Sequence, residues 1–189
     1  MSNRFHALIF GLLTALATFG LAACQQNDNV QAAREPSSTA NAITGADRNF
    51  VLQAEKDNIQ ERVLGRMAEE RAQNSDVKDY GKMLVQDHNA ALQKLVALMN
   101  KNGMPQPSGM PEERSEAINM LQGMSGASFD KEFMSMMVQD HQKAVSTFER
   151  EESTAQNSDV RDYAKSVLPI LEKHLKDAQE LQSKLETSR

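Results

Sequence analysis

Val85-Gln86-Asp87-His88 returns as Val138-Gln139-Asp140-His141, both times inside a stretch with helical periodicity. Around the first copy, Val77, Gly81, Leu84, His88, Ala91, Leu95 and Leu98 step by three and four residues, the spacing that lines up one face of a helix. His88 therefore shares a face with the apolar residues and should point at the core. The second copy reads alike: Met134, Met137, His141, Ala144 or Val145, and Phe148 form a stripe that carries His141 inward. A polar Asp-His pair placed twice in amphipathic helices asks for a physical role, because buried polar groups are costly unless something satisfies them.

Extending the count in both directions gives four long helices and no run of alternating β-branched residues. The first, about Asp47 to Arg71, carries Val51, Ala54, Asn58, Glu61, Gly65, Ala68 and Ala72 on one stripe, so Glu61 is in line with the core face. The second starts at Ser75 or Asp76 and ends near Lys101, before Asn102-Gly103 and Pro105. A connection follows, with a short helix predicted from Pro111 to about Gln122, and Ser128 then caps the third helix. The fourth, about Ser158 to Leu185, has the stripe Val160, Ala164, Val167, Leu171, His174, Ala178, Leu181, Leu185. Pro169 lies inside it and should kink it just before His174.

A second repeat equates two turns: Ala72-Gln73-Asn74-Ser75-Asp76-Val77-Lys78-Asp79-Tyr80 matches Ala155-Gln156-Asn157-Ser158-Asp159-Val160-Arg161-Asp162-Tyr163. Two hairpins with such short turns, joined by a connection of about 25 residues, predict an all-α, ferritin-like four-helix bundle with one long crossover. The second and third long helices would then be parallel. At about 1.5 Å per residue, Glu61, His88, His141 and His174 all fall in the middle third of the bundle.

The ends of the chain place the protein. Residues 1–23, one Arg followed by an apolar run closing on small residues, read as a secretory signal peptide too short for a convincing membrane span. Leu21-Ala22-Ala23-Cys24 looks like a bacterial lipobox, which predicts lipidation at Cys24, the only cysteine. With no second Cys, no intramolecular disulfide can form. Residues 24–45 are Gln, Asn, Ser, Thr and Ala with Pro36, too polar to bury a core, and read as a disordered tether to the domain at 46–189. Losing Arg4 with the signal peptide takes the formal charge from −5 to about −6, which excludes a partner as acidic as nucleic acid. The partners that remain are the membrane, through the lipid on Cys24, and another envelope protein. Gln25 follows the Cys where Asp would favour inner-membrane retention, which tilts a periplasm-facing lipoprotein toward the outer membrane.

Glu61-x-x-x-Gly65-x-x-Ala68, Met83-x-x-x-Asp87-His88, Ser125-Gly126-x-x-Phe129-Asp130, Met136-x-Val138-x-Asp140-His141 and Leu168-Pro169-x-Leu171-x-x-His174-Leu175 together resemble the bacterial family catalogued as domain of unknown function 4142. The resemblance runs from about residue 47 to 182. It implies an exported, often lipid-anchored, ferritin-like bundle, and it carries no assigned activity.

From the residues themselves, three imidazoles and one carboxylate at one height make a candidate site for one transition-metal ion, with Glu61, His88, His141 and His174 as ligands. This donor set suits Zn, Fe, Mn or Cu. Asp87 and Asp140, about 100° round from the histidines, are placed to orient them. The same residues could instead form a hydrogen-bonded polar layer that sets helix register. The methionines around the site, Met83, Met134, Met136 and Met137, suit Cu(I) but are more often core filler. No Glu-x-x-His occurs, which argues against a di-iron carboxylate centre. Nor is there a phosphate loop, zinc-protease motif or nucleophile elbow, so no catalytic residue is assigned.

Overall fold

Thr44 and Asp47 open the first helix with a capping box: the Thr44 hydroxyl accepts from the Asp47 backbone N–H, and the Asp47 carboxylate accepts from the Thr44 backbone N–H. The computed structural model describes residues 43–105 and 116–187. The elements are α1 (Gly45–Arg71), α2 (Ser75–Lys101), α3 (Glu116–Gln122), α4 (Gly126–Thr154) and α5 (Ser158–Thr187). Ile43, part-buried against the core, and Thr44, which caps α1, already belong to the bundle although they fall within the stretch read as tether. The signal sequence, Cys24 and Pro111, the predicted start of the short helix, lie outside the described residues.

The four long helices form a bundle in which α1 packs along α2 and α4 along α5, and the hairpins meet mainly through α2 against α5. Val77 and Phe129, at the starts of α2 and α4, lie in one apolar cluster. Asp130 confirms that these starts share an end, since its two oxygens accept the backbone N–H groups of Gln73 and Asn74 at 3.0 and 2.9 Å. At the opposite end, the Asp47 oxygens accept from Gln156 and Asn157 at 3.2 and 3.1 Å, tying the start of α1 to the α4–α5 turn. So α2 and α4 run parallel, with Asn102 at the end of α2 and Ser125 at the start of α4 lying at opposite ends of the bundle. Near the end of that crossing, Arg71 donates to the carbonyls of Gln122 and Met124.

The turn repeat has a structural counterpart. Asn74 caps α2, accepting from Asp76 and Val77 N–H, and Asn157 does the same for Asp159 and Val160 at the start of α5. Asp47 and Asp130, Asn74 and Asn157, Tyr80 and Tyr163 are each 83 residues apart, so the hairpins are near-copies that cap each other.

Ser128 is not the cap of α4. The helix starts earlier, with Ser125 at the N-cap position, and the Ser128 hydroxyl turns back to donate to the Ser125 carbonyl. Gly126, at φ 64°, makes this early entry in a conformation that a side chain would resist. In α5, Pro169 stands inside a helix that runs from Ser158 to Thr187.

The interior has two apolar clusters. One gathers Phe50, Val51, Leu95, Leu98, Phe148, Val160, Tyr163 and Leu171; the other gathers Leu64, Leu84, Phe129, Phe133, Met134, Met137 and Leu181. Between them on each helix stands the polar layer: Asn58 and Glu61 on α1, His88 on α2, His141 on α4, His174 on α5, all buried. Helix α1 can approach α2 closely because Gly65 faces Gly81; a Cβ on either would lie 2.6 Å from the other's carbonyl oxygen.

Candidate metal centre

Each histidine is held by a different kind of acceptor, and the acceptors decide the tautomers. His141 Nδ1 lies 3.0 Å from the Met137 carbonyl oxygen one turn back on α4. A carbonyl can only accept, so Nδ1 carries the proton and Nε2 is a lone pair. His88 Nδ1 lies 3.0 Å from Asn58 Oδ1, whose orientation is set by its own amide nitrogen donating to the Ala54 carbonyl and to the Tyr163 hydroxyl. His88 Nδ1 therefore donates, and its Nε2, buried and without a partner, is also a lone pair. His174 Nε2 lies 2.9 Å from Asp87 Oδ2, a carboxylate reaching in from a part-exposed position. With Nε2 donating there, His174 Nδ1 is the third lone pair.

These three nitrogens converge. One ring nitrogen of each of His88, His141 and His174 lies within 4.8 Å of the others, and His141 Nε2 is 3.3 Å from His174 Nδ1. With Zn–N bonds of 2.0–2.1 Å at a tetrahedral angle, two ligand nitrogens stand about 3.3 Å apart. A proton could bridge the same gap only by leaving one imidazole charged, or by leaving His174 Nε2 bare against Asp87 or His141 Nδ1 bare against the Met137 carbonyl. The surroundings oppose the charge. Burial and the neighbouring His174 and His141 hold His88 well below its ordinary value; burial and His174 hold His141 down at about 4; burial lowers His174 despite the pull of Asp87. These influences all favour the neutral ring, which is the ligand form.

Glu61 shares the layer but is not part of the close nitrogen group. It lines a cavity of about 480 Å³ between α1 and α4, together with His88, His141, Asp57 and Asp140. Its Oε2 is buried without a hydrogen-bond partner, and burial, with the charges of Asp140 and Asp57, pushes its carboxyl up to about 8. Asp87 and Asp140 part company despite occupying the same place in their repeated tetrapeptides. Asp87 orients His174 on the neighbouring helix, whereas Asp140 turns toward α1 and the cavity and, among the described residues, bonds to no histidine. Asn58 and the Met137 carbonyl are orienting groups that the sequence reading did not pick out. For Asn58 there was a signal: it sits on the inward stripe of α1, 83 residues before His141. Met83 lies against Lys173 at the surface, while Met134 and Met137 fill the apolar cluster beside the site.

Comparison with known proteins agrees with this architecture. The fold is similar to that of two crystal structures. One is a DUF305 fragment from Deinococcus radiodurans, at TM-score 0.66 and 15% identity over 76% of this chain and 99% of that one. The other is a DUF305 protein from Streptomyces coelicolor, at TM-score 0.64 and 12% identity over 75% and 92%. No curated protein matches the sequence at a significant level. The model of the family described as domain of unknown function, DUF4142, matches residues 32–181, which take in α1, α2 and α4, most of α5 and all three buried histidines. The chain belongs to the DUF4142 family.

Proposed function

We propose that this protein binds one transition-metal ion through His88, His141 and His174. The observation that carries the reading is geometric: Asn58 Oδ1, the Met137 carbonyl and Asp87 each stand against one ring nitrogen, which assigns a proton there and a lone pair to the other nitrogen of each ring, and one nitrogen of each ring lies within 4.8 Å of the others. That is the way proteins fix imidazoles for a metal. A polar layer built only to set register would alternate donors with acceptors instead. Neutral imidazoles suit Zn, Cu and Fe, and three protein ligands leave a coordination position open. Glu61 lines the same cavity as His88 and His141 but stands outside the close nitrogen group. The bundle then stores, buffers or uses the ion.

The site sits, in this reading, on an exported lipoprotein anchored through Cys24 and facing the periplasm from the outer membrane. The Leu-Ala-Ala-Cys end of the leader supports it, and the Streptomyces coelicolor relative carries the description of a secreted protein. None of the described helices is long and apolar enough to cross a membrane. A non-metal interaction module of the envelope is the competing function.

Metal analysis separates the two. Protein purified without chelator or affinity-tag nickel should carry close to one equivalent of metal, and His141→Ala/His174→Ala should carry none. Melting temperature should rise on adding Zn or Cu to the wild type alone, since a ligand stabilises the state that binds it. Equal melting temperatures with and without metal, and a substoichiometric content, would reject the proposal. For the anchor, Cys24→Ala should leave the membrane fraction after a high-salt wash; persistence there would reject lipidation.

A further inference from the structure

His88, His141 and His174 approach from α2, α4 and α5, three corners of the bundle; the fourth corner is α1, which carries no imidazole. Ligands about an ion such as Zn stand at the corners of a tetrahedron. With three drawn from three helices, the remaining direction is the one toward α1, and there the bundle is hollow. The cavity of about 480 Å³ between α1 and α4 has His88 and His141 among its walls, while Gln53, Lys143 and Arg150, all exposed, stand at its rim. Solvent thus reaches two of the three rings along it. Of the polar side chains that α1 brings to the layer, Asn58 is engaged with His88 and Glu61 stands outside the close nitrogen group. One helical turn beyond the imidazoles the cavity wall is apolar. Ala54 precedes Asn58, Ala144 follows His141 and Leu171 precedes His174, each about 4.5–6 Å along its helix and all toward the end of the bundle that holds the α4–α5 turn.

We propose that the fourth position of an ion on the three histidines takes a small neutral nitrogen heterocycle from solvent, admitted by the α1–α4 cavity, with its apolar body between Ala54, Ala144 and Leu171. This inference rests on the metal reading and deepens it, from a site that holds an ion to one that presents it to a ligand. A cation has no lone pair to give the metal, and an anion would pass the carboxyl groups of Asp57, Glu61 and Asp140 in the same walls. A heterocycle of the imidazole kind gives one ring nitrogen to the ion and carries an N–H on the other. Glu61 Oε2, buried in the same cavity with no hydrogen-bond partner, is an acceptor for such a group, and a carboxyl oxygen can accept in either protonation state. The size also suits a ligand, since small-molecule sites are cavities of roughly 300–1,000 Å³ with apolar walls and a few polar groups.

The test loads chelator-stripped protein with one equivalent of Co(II), whose visible absorption reports the kind and number of its ligands, and titrates it with imidazole and with 4-phenylimidazole. Both should shift the cobalt absorption while the cobalt stays with the protein on gel filtration. The phenyl compound should bind at least about tenfold more tightly, because its second ring leaves water for the apolar walls. Ala144→Leu narrows the cavity without touching a ring nitrogen. It should keep the starting cobalt spectrum, reduce 4-phenylimidazole affinity about tenfold and change imidazole affinity about twofold or less. Should that variant fail to fold, the ratio of the two affinities in the wild type carries the test alone. A chain that takes up no cobalt would overturn the metal reading and this proposal with it. Bound cobalt whose absorption neither heterocycle moves, or which they move only in Glu61→Ala, would overturn this proposal and leave the metal reading standing. Equal affinities for the two heterocycles, or release of the cobalt by them, would do the same.

Discussion

Asn58 does for His88 what Asp87 does for His174, and neither needs to touch a metal to matter. Each holds a ring N–H at 3.0 or 2.9 Å and so decides which nitrogen is bare. Orienting partners of metal-bound histidines are worth about 10–100-fold in affinity. Asp87→Ala and Asn58→Leu should each weaken metal binding by that order in a competition titration against a chromophoric chelator, with little change in the helical circular dichroism. Affinity unchanged in both would mean that the tautomers are set otherwise. At the bundle end, Asp47 offers a pH prediction. Burial works to raise its carboxyl, but hydrogen bonds from Thr44, Asn157 and Gln156 outweigh it and the group lies below its ordinary 3.8. A depressed carboxylate adds stability above the unfolded value and loses it as pH falls through the folded one. Wild type should therefore exceed Asp47→Asn in stability at neutral pH, and urea titrations should show the gap closing below pH 3.8. A gap that is constant with pH would assign the effect to the cap geometry alone.

Helices α1 and α2 touch backbone to backbone at Gly65 and Gly81, the place where a single methyl should be felt most. Gly65→Ala or Gly81→Ala would put a Cβ 2.6 Å from a carbonyl oxygen, a contact only a shift of the helix can relieve. Overpacking of this kind costs about 1–3 kcal/mol, more than the better helix propensity of Ala returns. Urea unfolding midpoints should fall accordingly; a rise would mean that the helices are free to separate. The stripe residues were legible because 3.6-residue periodicity decides which side of a helix meets the core, and Val51, Leu84, Met134 and Ala164 are all buried as that rule requires. Heights were legible too, since rise per residue is constant, and so the histidines could be brought to one level from counting alone. Rotation is another matter. Whether Asp140 turns toward α5 or α1, and whether Glu61 points at the imidazoles or past them, depends on how the neighbouring helices are phased. No spacing in one strip of sequence encodes that. The cap of α4 was misplaced for a similar local reason: Ser128 is a good cap by type, but a left-handed glycine two residues earlier had already turned the chain.

Across the whole molecule, the three histidines sit on α2, α4 and α5, and α1 contributes no imidazole. An ion held there would join three helices and leave the fourth as the wall of the cavity. Adding Zn or Cu should therefore slow hydrogen exchange in the middle of α2, α4 and α5 more than in the middle of α1, because a ligand suppresses the openings that break its own site. At a free ion concentration of 100 times Kd the stabilisation should be about 2.7 kcal/mol. Uniform slowing in all four helices would point to Glu61 as a true ligand.

The mutual capping of the two hairpins has a consequence of parity. A pair of identical hairpins about a two-fold axis would present every inward side chain twice and could offer imidazoles only in even numbers. Three is odd, so the halves had to differ at the level of the site, and they do: position by position at the 83-residue offset, Asn58 stands opposite His141, His88 opposite Leu171, and Ala91 opposite His174. Each substitution removes one imidazole from a would-be mirror set of six. The capping acids and turns are alike in the two halves, while the middle layer, where the histidines stand, is not.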